Sequence, residues 1–223
     1  MLYNLMRKNK RESLLILRGG QWFMNIKKLI EKMTLKEKLE QLTQLNAGFF
    51  DKNAGTEATG PLGELGLNTD NLKGTGSVLN FQGPDSVKAL QKQHLDDDPN
   101  KIPMMFMMDV VHGCRTIYPV PLGLSASFDP QLVKDCCAMA AKEAAAEGIN
   151  VTFAPMADLA RDARWGRVME STGEDPYLNC LYSRAAVEGF QGDLKKGKVA
   201  ACVKHYAAYG AAEAGRDYNT VDM

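Results

Sequence analysis

The apolar positions of this chain fall into four short unbroken blocks, separated by longer stretches with helical spacing. The blocks are Gly76–Phe81 (GSVLNF), Ile102–Met108 (IPMMFMM), Ile149–Phe153 (INVTF) and Val199–Val203 (VAACV). The second runs apolar without alternation, and all four predict strands buried on both faces rather than strands with one wet side. A helix is predicted from Thr34, where Thr34-Leu35-Lys36-Glu37 has the form of a capping box, with Leu35, Leu39, Leu42 and Leu45 as its apolar face. Residues 47–75 hold many Gly, Asn and Thr and predict a long loop. Pro84 to about Leu95 predicts the next helix, closed by Asp96-Asp97-Asp98-Pro99. Asp129-Pro130 and Asp175-Pro176 each pair an N-cap acid with an N1 proline. They open helices running to Glu147, with Gly148 as its C′ residue, and to about Gln191.

Strand and helix therefore alternate, which implies a parallel sheet built of right-handed βαβ units. Doubly wound sheets and (β/α)8 barrels both satisfy this pattern. Neither GxGxxG nor GxxxxGK[ST] follows any strand, so the usual nucleotide fingerprints are missing. Polar residues do collect where strands end: Asp109 after the second, Asp158 to Glu174 after the third, Lys204-His205 after the fourth. The carboxyl ends of the strands are the face on which barrels place their sites.

The densest of these clusters is Ala154–Tyr177, with Arg161, Arg164 and Arg167 among Asp158, Asp162, Glu170, Glu174 and Asp175. Two readings compete: a binding loop on a rigid scaffold, or a solvated loop whose charges pair with one another. Carboxylates together with arginine, lysine and histidine suit a neutral, hydroxyl-rich ligand, because the acids accept hydrogen bonds from hydroxyls and the bases donate them. Trp165 is either an apolar wall for such a ligand or, by preference, a core anchor of the loop. Asp109, after seven apolar residues, reads as a site residue rather than a turn cap. A lysine directly after a buried strand, as at Lys204, implies a strand end that opens into a wet cleft. His112 reads as a structural histidine packed in its loop and His94 as a helix-surface one. The run Asp96–Asp98 reads as a solvated loop, not a metal site.

Composition narrows the partners. Lys+Arg and Asp+Glu are 27 each, so nothing points to nucleic acid or to a membrane surface. Five cysteines, none in a CxxC pair, read as reduced thiols rather than a disulfide framework or a zinc site. The apolar run Leu14–Leu17 ends at Arg18 and is shorter than the roughly 7–15 residues of a signal core. No stretch approaches the roughly 20 apolar residues of a membrane span. The expectation is a cytoplasmic protein whose residues 1–23 form a poorly ordered extension.

Six blocks follow one another in order: KMTLKEKLEQL, GSVLN, IPMMFMMDVVHG, TFAPMADLARDARWGRVMESTGEDPYL, VKHYAAYG and GRDYNTVDM. Together they resemble the amino-terminal barrel domain of glycoside hydrolase family 3, in its bacterial β-glucosidase branch, over residues 24–223. The long RDARWGR…GEDPY block is the most specific. The resemblance implies a TIM-type (β/α)8 barrel, present as its first half of about four β/α units. It implies a retaining β-glycosidase releasing non-reducing-end β-D-glucosyl residues, with no cofactor and no metal. A β-glucoside or oligosaccharide would be the small-molecule partner. Residue by residue, it implies that Asp109, Arg167, Lys204 and His205 bind the sugar. Asp158, Arg161, Arg164, Glu170 and Glu174 would shape the loop. The β-N-acetylglucosaminidase branch resembles KHFPGHGD where this chain has KHYAAYGA, which argues against that branch. β-Xylosidases are not separated by these residues.

Retaining hydrolysis needs two carboxyl groups about 5–5.5 Å apart. In the family both lie beyond VDM, on a later strand and in a second domain. The expectation is thus a chain with the sugar-binding half of a site and no catalytic residue, its barrel edge unpaired and the remainder of the barrel and the second domain missing. A sugar-binding remnant without chemistry, a non-functional product, and an unrelated barrel enzyme binding phosphate or carboxylate through the same arginines are the competing readings.

Overall fold

The computed structural model describes residues 15–18, 21–50 and 73–222. Strand β1 (Leu15–Arg18) pairs antiparallel with β2 (Gln21–Met24). Helices α1 (Ile26–Lys32) and α2 (Leu35–Gln41) follow. Then β3 (Gln44–Asn46), β4 (Ser77–Leu79), β5 (Met105–Met108), β6 (Val151–Thr152) and β7 (Ala200–Ala201) form one parallel sheet in that order. Helix α3 (Pro84–Asp97) links β4 to β5. The short α4 (Pro121–Ser125) and the long α5 (Pro130–Ala146) link β5 to β6, and α6 (Pro176–Phe190) links β6 to β7. Each strand lies beside its sequence neighbour, as the first part of a (β/α) barrel requires. Among the described residues no helix is long and apolar enough to cross a membrane.

The caps fall where the residues call for them. Thr34 and Glu37 form both halves of the capping box. Asp129 accepts from the backbone N–H groups of Gln131 and Leu132, and Asp175 from that of Leu178. Gly148 follows α5 with φ 93°. The core lies between sheet and helices: Val78, Phe106, Val110 and Ile149 from the strands and loops pack with Ala140, Ala144, Tyr182 and Phe190 from α5 and α6.

Several expectations need correction. The sheet has a fifth parallel strand, β3, ahead of the four read from the sequence. Leu45 belongs to it: α2 stops at Gln41 and Leu45 is buried in the strand, whereas Leu35, Leu39 and Leu42 are exposed. Nor is β5 buried on both faces. Phe106 is 1% exposed and its neighbour Met105 is 44% exposed, because adjacent strand residues point to opposite faces and only one face meets the helices. His94 is buried rather than superficial, with Nε2 2.9 Å from the Ile102 carbonyl. It sits on the same face of α3 as the buried Val87, seven residues earlier. Asp98 is likewise buried, accepting from the backbone N–H groups of Asn100 and Ile102. The predicted loop 47–75 begins with a 3-10 turn at Ala47–Phe49, and its residues 51–72 lie outside the described residues. So do residues 1–14, 19 and 20 of the N-terminal segment.

Candidate sugar-binding site

Three loops at the carboxyl end of the sheet meet here. Asp109 directly follows β5, and Lys204 lies just past β7. The Lys204 Nζ donates to Asp109 Oδ1 at 2.6 Å, spanning the two strands that flank β6. The lysine side chain is 13% exposed and the aspartate 45%, so the ammonium is held under a carboxylate that faces the opening. Backbone pairing continues past the strands and fixes this height. Met156 bridges Lys204, with Lys204 N–H donating to Pro155 O and Ala157 N–H to Lys204 O.

Asp158, on the loop after β6, has a nearly buried carboxylate. Its Oδ2 accepts from the His205 backbone N–H at 3.0 Å and lies 2.7 Å from His205 Nδ1. A carboxylate only accepts, which places the proton of the neutral ring on Nδ1. His205 Nε2 is then free to accept, and Arg167 Nη1 stands 3.5 Å from it.

Arg167 is gripped at two of its nitrogens. Nε donates to Glu170 Oε1 and Nη2 to Oε2, both at 2.6 Å. This bidentate pair leaves Nη1 as the end turned towards His205 and the Tyr209 hydroxyl, each 3.5 Å away. The hydrogen bonds from Arg167 hold the Glu170 carboxyl below the usual glutamate range, against the upward push of burial. Asp109 and Glu170 line the same open cleft, with Val111, His112, Gly113 and Met169.

The four residues predicted to bind sugar are thus brought together: Asp109 with Lys204, and Arg167 with His205. The loop's other charges divide between the two readings of the sequence. Arg164 pairs with Asp162 at the surface, where Asp162 is drawn down to about 2 by that hydrogen bond. Asp158 and Glu170 face inward and set His205 and Arg167. Arg161 and Glu174 are exposed. Trp165 is a core anchor, 2% exposed, its indole N–H donating to Asp217 at 2.9 Å. His112 is packed in its loop against the Tyr118 carbonyl, as expected. Sequence reasoning passed over Tyr209 and Asp217. The signal was an aromatic four residues past the Lys-His pair and an acid twelve residues past it, in a tail that reads as merely small and polar. Among the described residues no group of three or more His, Cys, Asp or Glu side chains could hold a metal ion.

The profile of the Glycosyl hydrolase family 3 N terminal domain matches residues 34–223. The chain belongs to glycoside hydrolase family 3. Among its relatives, a periplasmic beta-glucosidase of Salmonella typhimurium is 38% identical over 197 residues, covering 87% of this family 3 chain and 24% of the relative. A beta-xylosidase of Formosa agariphila is 38% identical over 103 residues, 44% of the chain and 14% of the relative. The crystal structure of a beta-glucosidase from Listeria innocua in complex with glucose superposes with a TM-score of 0.83 at 47% identity, covering 89% of the chain and 29% of that protein. The family 3 chain therefore spans about a quarter of the length of the β-glucosidases it matches.

Proposed function

We propose that this chain carries the glycone-binding part of a retaining β-glucosidase site, with the nucleophile and the acid/base supplied by sequence beyond VDM. The observation that carries this reading is the convergence of Asp109–Lys204, Arg167–Glu170 and Asp158–His205 at one end of the sheet. Three carboxylates and two permanent cations nearly balance, with a histidine between them, which suits a neutral polyhydroxy ligand better than a phosphate or a carboxylate. Both acceptors and donors are present, and a sugar hydroxyl can use either.

The same geometry argues against chemistry from these residues alone. A glycosidase acid needs a carboxyl group whose pKa is raised. Every resolved carboxyl shift among the described residues is downward, Glu170 and Asp217 included. Asp109, Asp158 and Glu170 are already engaged by Lys204, His205 and Arg167. The purified 223-residue chain is expected to release no nitrophenol from 4-nitrophenyl β-D-glucoside above the uncatalysed rate. Turnover within a few-fold of a full-length relative would overturn the reading.

The similarity to a β-xylosidase keeps a pentose within reach. Glucose differs from xylose by the group on C5, and the cleft wall of Val111 and Met169 is one place where that group could be sensed. Tighter binding of D-xylose than of D-glucose would move the assignment to that specificity.

A further inference from the structure

A carboxylate outside the site fastens together two of the loops that carry it. Asp217 Oδ1 accepts from the Trp165 indole N–H at 2.9 Å and from the Tyr209 hydroxyl at 2.6 Å. Trp165 anchors the loop after β6, two residues before Arg167, and Tyr209 belongs to the loop after β7, four residues past His205. The rings continue the link. Tyr209 meets Trp165 edge-on at 5.4 Å and His205 edge-on at 4.5 Å, and the Arg167 guanidinium lies 5.3 Å from the Tyr209 ring centre.

The seam between these loops leaves no room to slide. A Cβ at Gly210 would lie 2.2 Å from the Leu159 carbonyl oxygen. At Gly215, where φ is +66°, it would lie 3.0 Å from the Trp165 nitrogen. The phenol has one proton, and it goes to Asp217. Its oxygen is thereby left as an acceptor facing Arg167 Nη1. Without the carboxylate, the hydroxyl hydrogen is free to turn elsewhere, including towards the guanidinium it now receives.

We propose that Asp217 and Tyr209 are a positioning pair, which sets the orientation of Arg167 and His205 towards a bound sugar from outside the cleft. This rests on the glycone role of Arg167 and His205 proposed above. The charge states agree with it. Asp217 is held below the usual aspartate range, first by the Tyr209 hydroxyl and then by the Trp165 indole. The Tyr209 hydroxyl is pushed up to about 12 by burial and then by Asp217.

The test uses the ¹⁵N-labelled 223-residue chain and two side-chain signals: the Trp165 indole N–H, told from Trp22 by Trp165→Phe, and the Arg167 Nε–H. In the wild-type chain the indole signal is expected downfield of free tryptophan. It should titrate on acidification with a midpoint below that of an ordinary aspartate. Asp217→Asn should move it upfield and broaden the Arg167 signal. With D-glucose as the probe, Asp217→Asn and Tyr209→Phe should each weaken binding about tenfold, the loss expected for a hydrogen bond to a charged group. The double variant should be no weaker than Tyr209→Phe, and Asp217→Glu should recover most of the affinity.

An indole at the free-tryptophan position in the wild type, from an open seam or an unfolded chain, overturns the proposal. Losses that add in the double variant also overturn it, as does an unchanged Arg167 signal in Asp217→Asn. If the Arg167 signal responds to Asp217→Asn but glucose does not bind the wild type, the positioning pair stands and the glycone reading falls. If glucose binds wild type and Asp217→Asn alike, the reverse holds.

Discussion

Replacing Arg167 by alanine is expected to weaken D-glucose binding on the order of a hundredfold, putting it out of range of a titration to high millimolar sugar. Two effects combine. The sugar loses a charged donor, worth about 1.5–3 kcal/mol for a hydrogen bond to a charged group. Glu170 loses the bidentate partner at 2.6 Å on each oxygen and becomes a partly buried, unpaired carboxylate in the cleft wall. A tenfold change in affinity corresponds to about 1.4 kcal/mol. Arg167→Lys should rescue little, because an ammonium cannot span both carboxylate oxygens while also holding a third nitrogen towards His205 and Tyr209.

The pH dependence of stability carries the same signature. The folded-state pKa of Glu170 is lowered, so its contribution is complete above the unfolded value of about 4.3 and is lost as pH falls through the folded value. Arg167→Ala removes that contribution. Its acid-unfolding midpoint should therefore sit at a higher pH than that of the wild type. Equal glucose affinity and equal acid midpoints in the two proteins would contradict the role assigned to Arg167.

Trp165→Ala should be the most destabilising of the substitutions considered, by about 3–5 kcal/mol, the usual cost of truncating a large buried aromatic. The side chain is 2% exposed, packs edge-on against Tyr209 and gives its N–H to Asp217. Its loss both leaves a cavity and releases the loop that holds Arg167. Against a total stability of about 5–15 kcal/mol for a natural domain, this is a large fraction. Urea unfolding followed by far-ultraviolet circular dichroism should show a midpoint lower by roughly 1–5 M, taking a slope of about 1–3 kcal/mol per M. Trp165→Phe should fall between, keeping much of the ring packing without the indole donor. A midpoint for Trp165→Ala within experimental error of the wild type would mean that the loop is held some other way.

Much of this arrangement is written locally in the chain. Capping residues are legible because they act on backbone groups two or three positions away: Thr34 with Glu37, Asp129 and Asp175 with the N–H groups that follow them. The position of Asp109 and of Lys204-His205 after apolar runs also placed them on one face before any geometry was known, since a parallel sheet puts all carboxyl ends together. What was hidden depends on contacts across long separations. Strand β3 is three residues long, and its parallel partner β4 lies beyond residues 51–72. Leu45 therefore looked like the end of a helical stripe. The pairing of Asp158 with His205 spans 47 residues, and that of Trp165 with Asp217 spans 52. No local pattern announces which of the five acids in Ala154–Tyr177 face inward. His94 and Asp98 were misjudged for a related reason: polar side chains are buried when they satisfy backbone groups of a turn, and that turn exists only once α3 and β5 are in place.

The site itself is tested most directly by titrating D-glucose into the ¹⁵N-labelled 223-residue chain and mapping the amide shifts. Saturable, weak binding is expected, with the largest shifts at Asp109, Arg167, Lys204 and His205 and their immediate neighbours, and with no shifts from L-glucose at the same concentration. A wild-type chain that gives no saturable shifts, or shifts centred away from the carboxyl end of the sheet, would contradict the account.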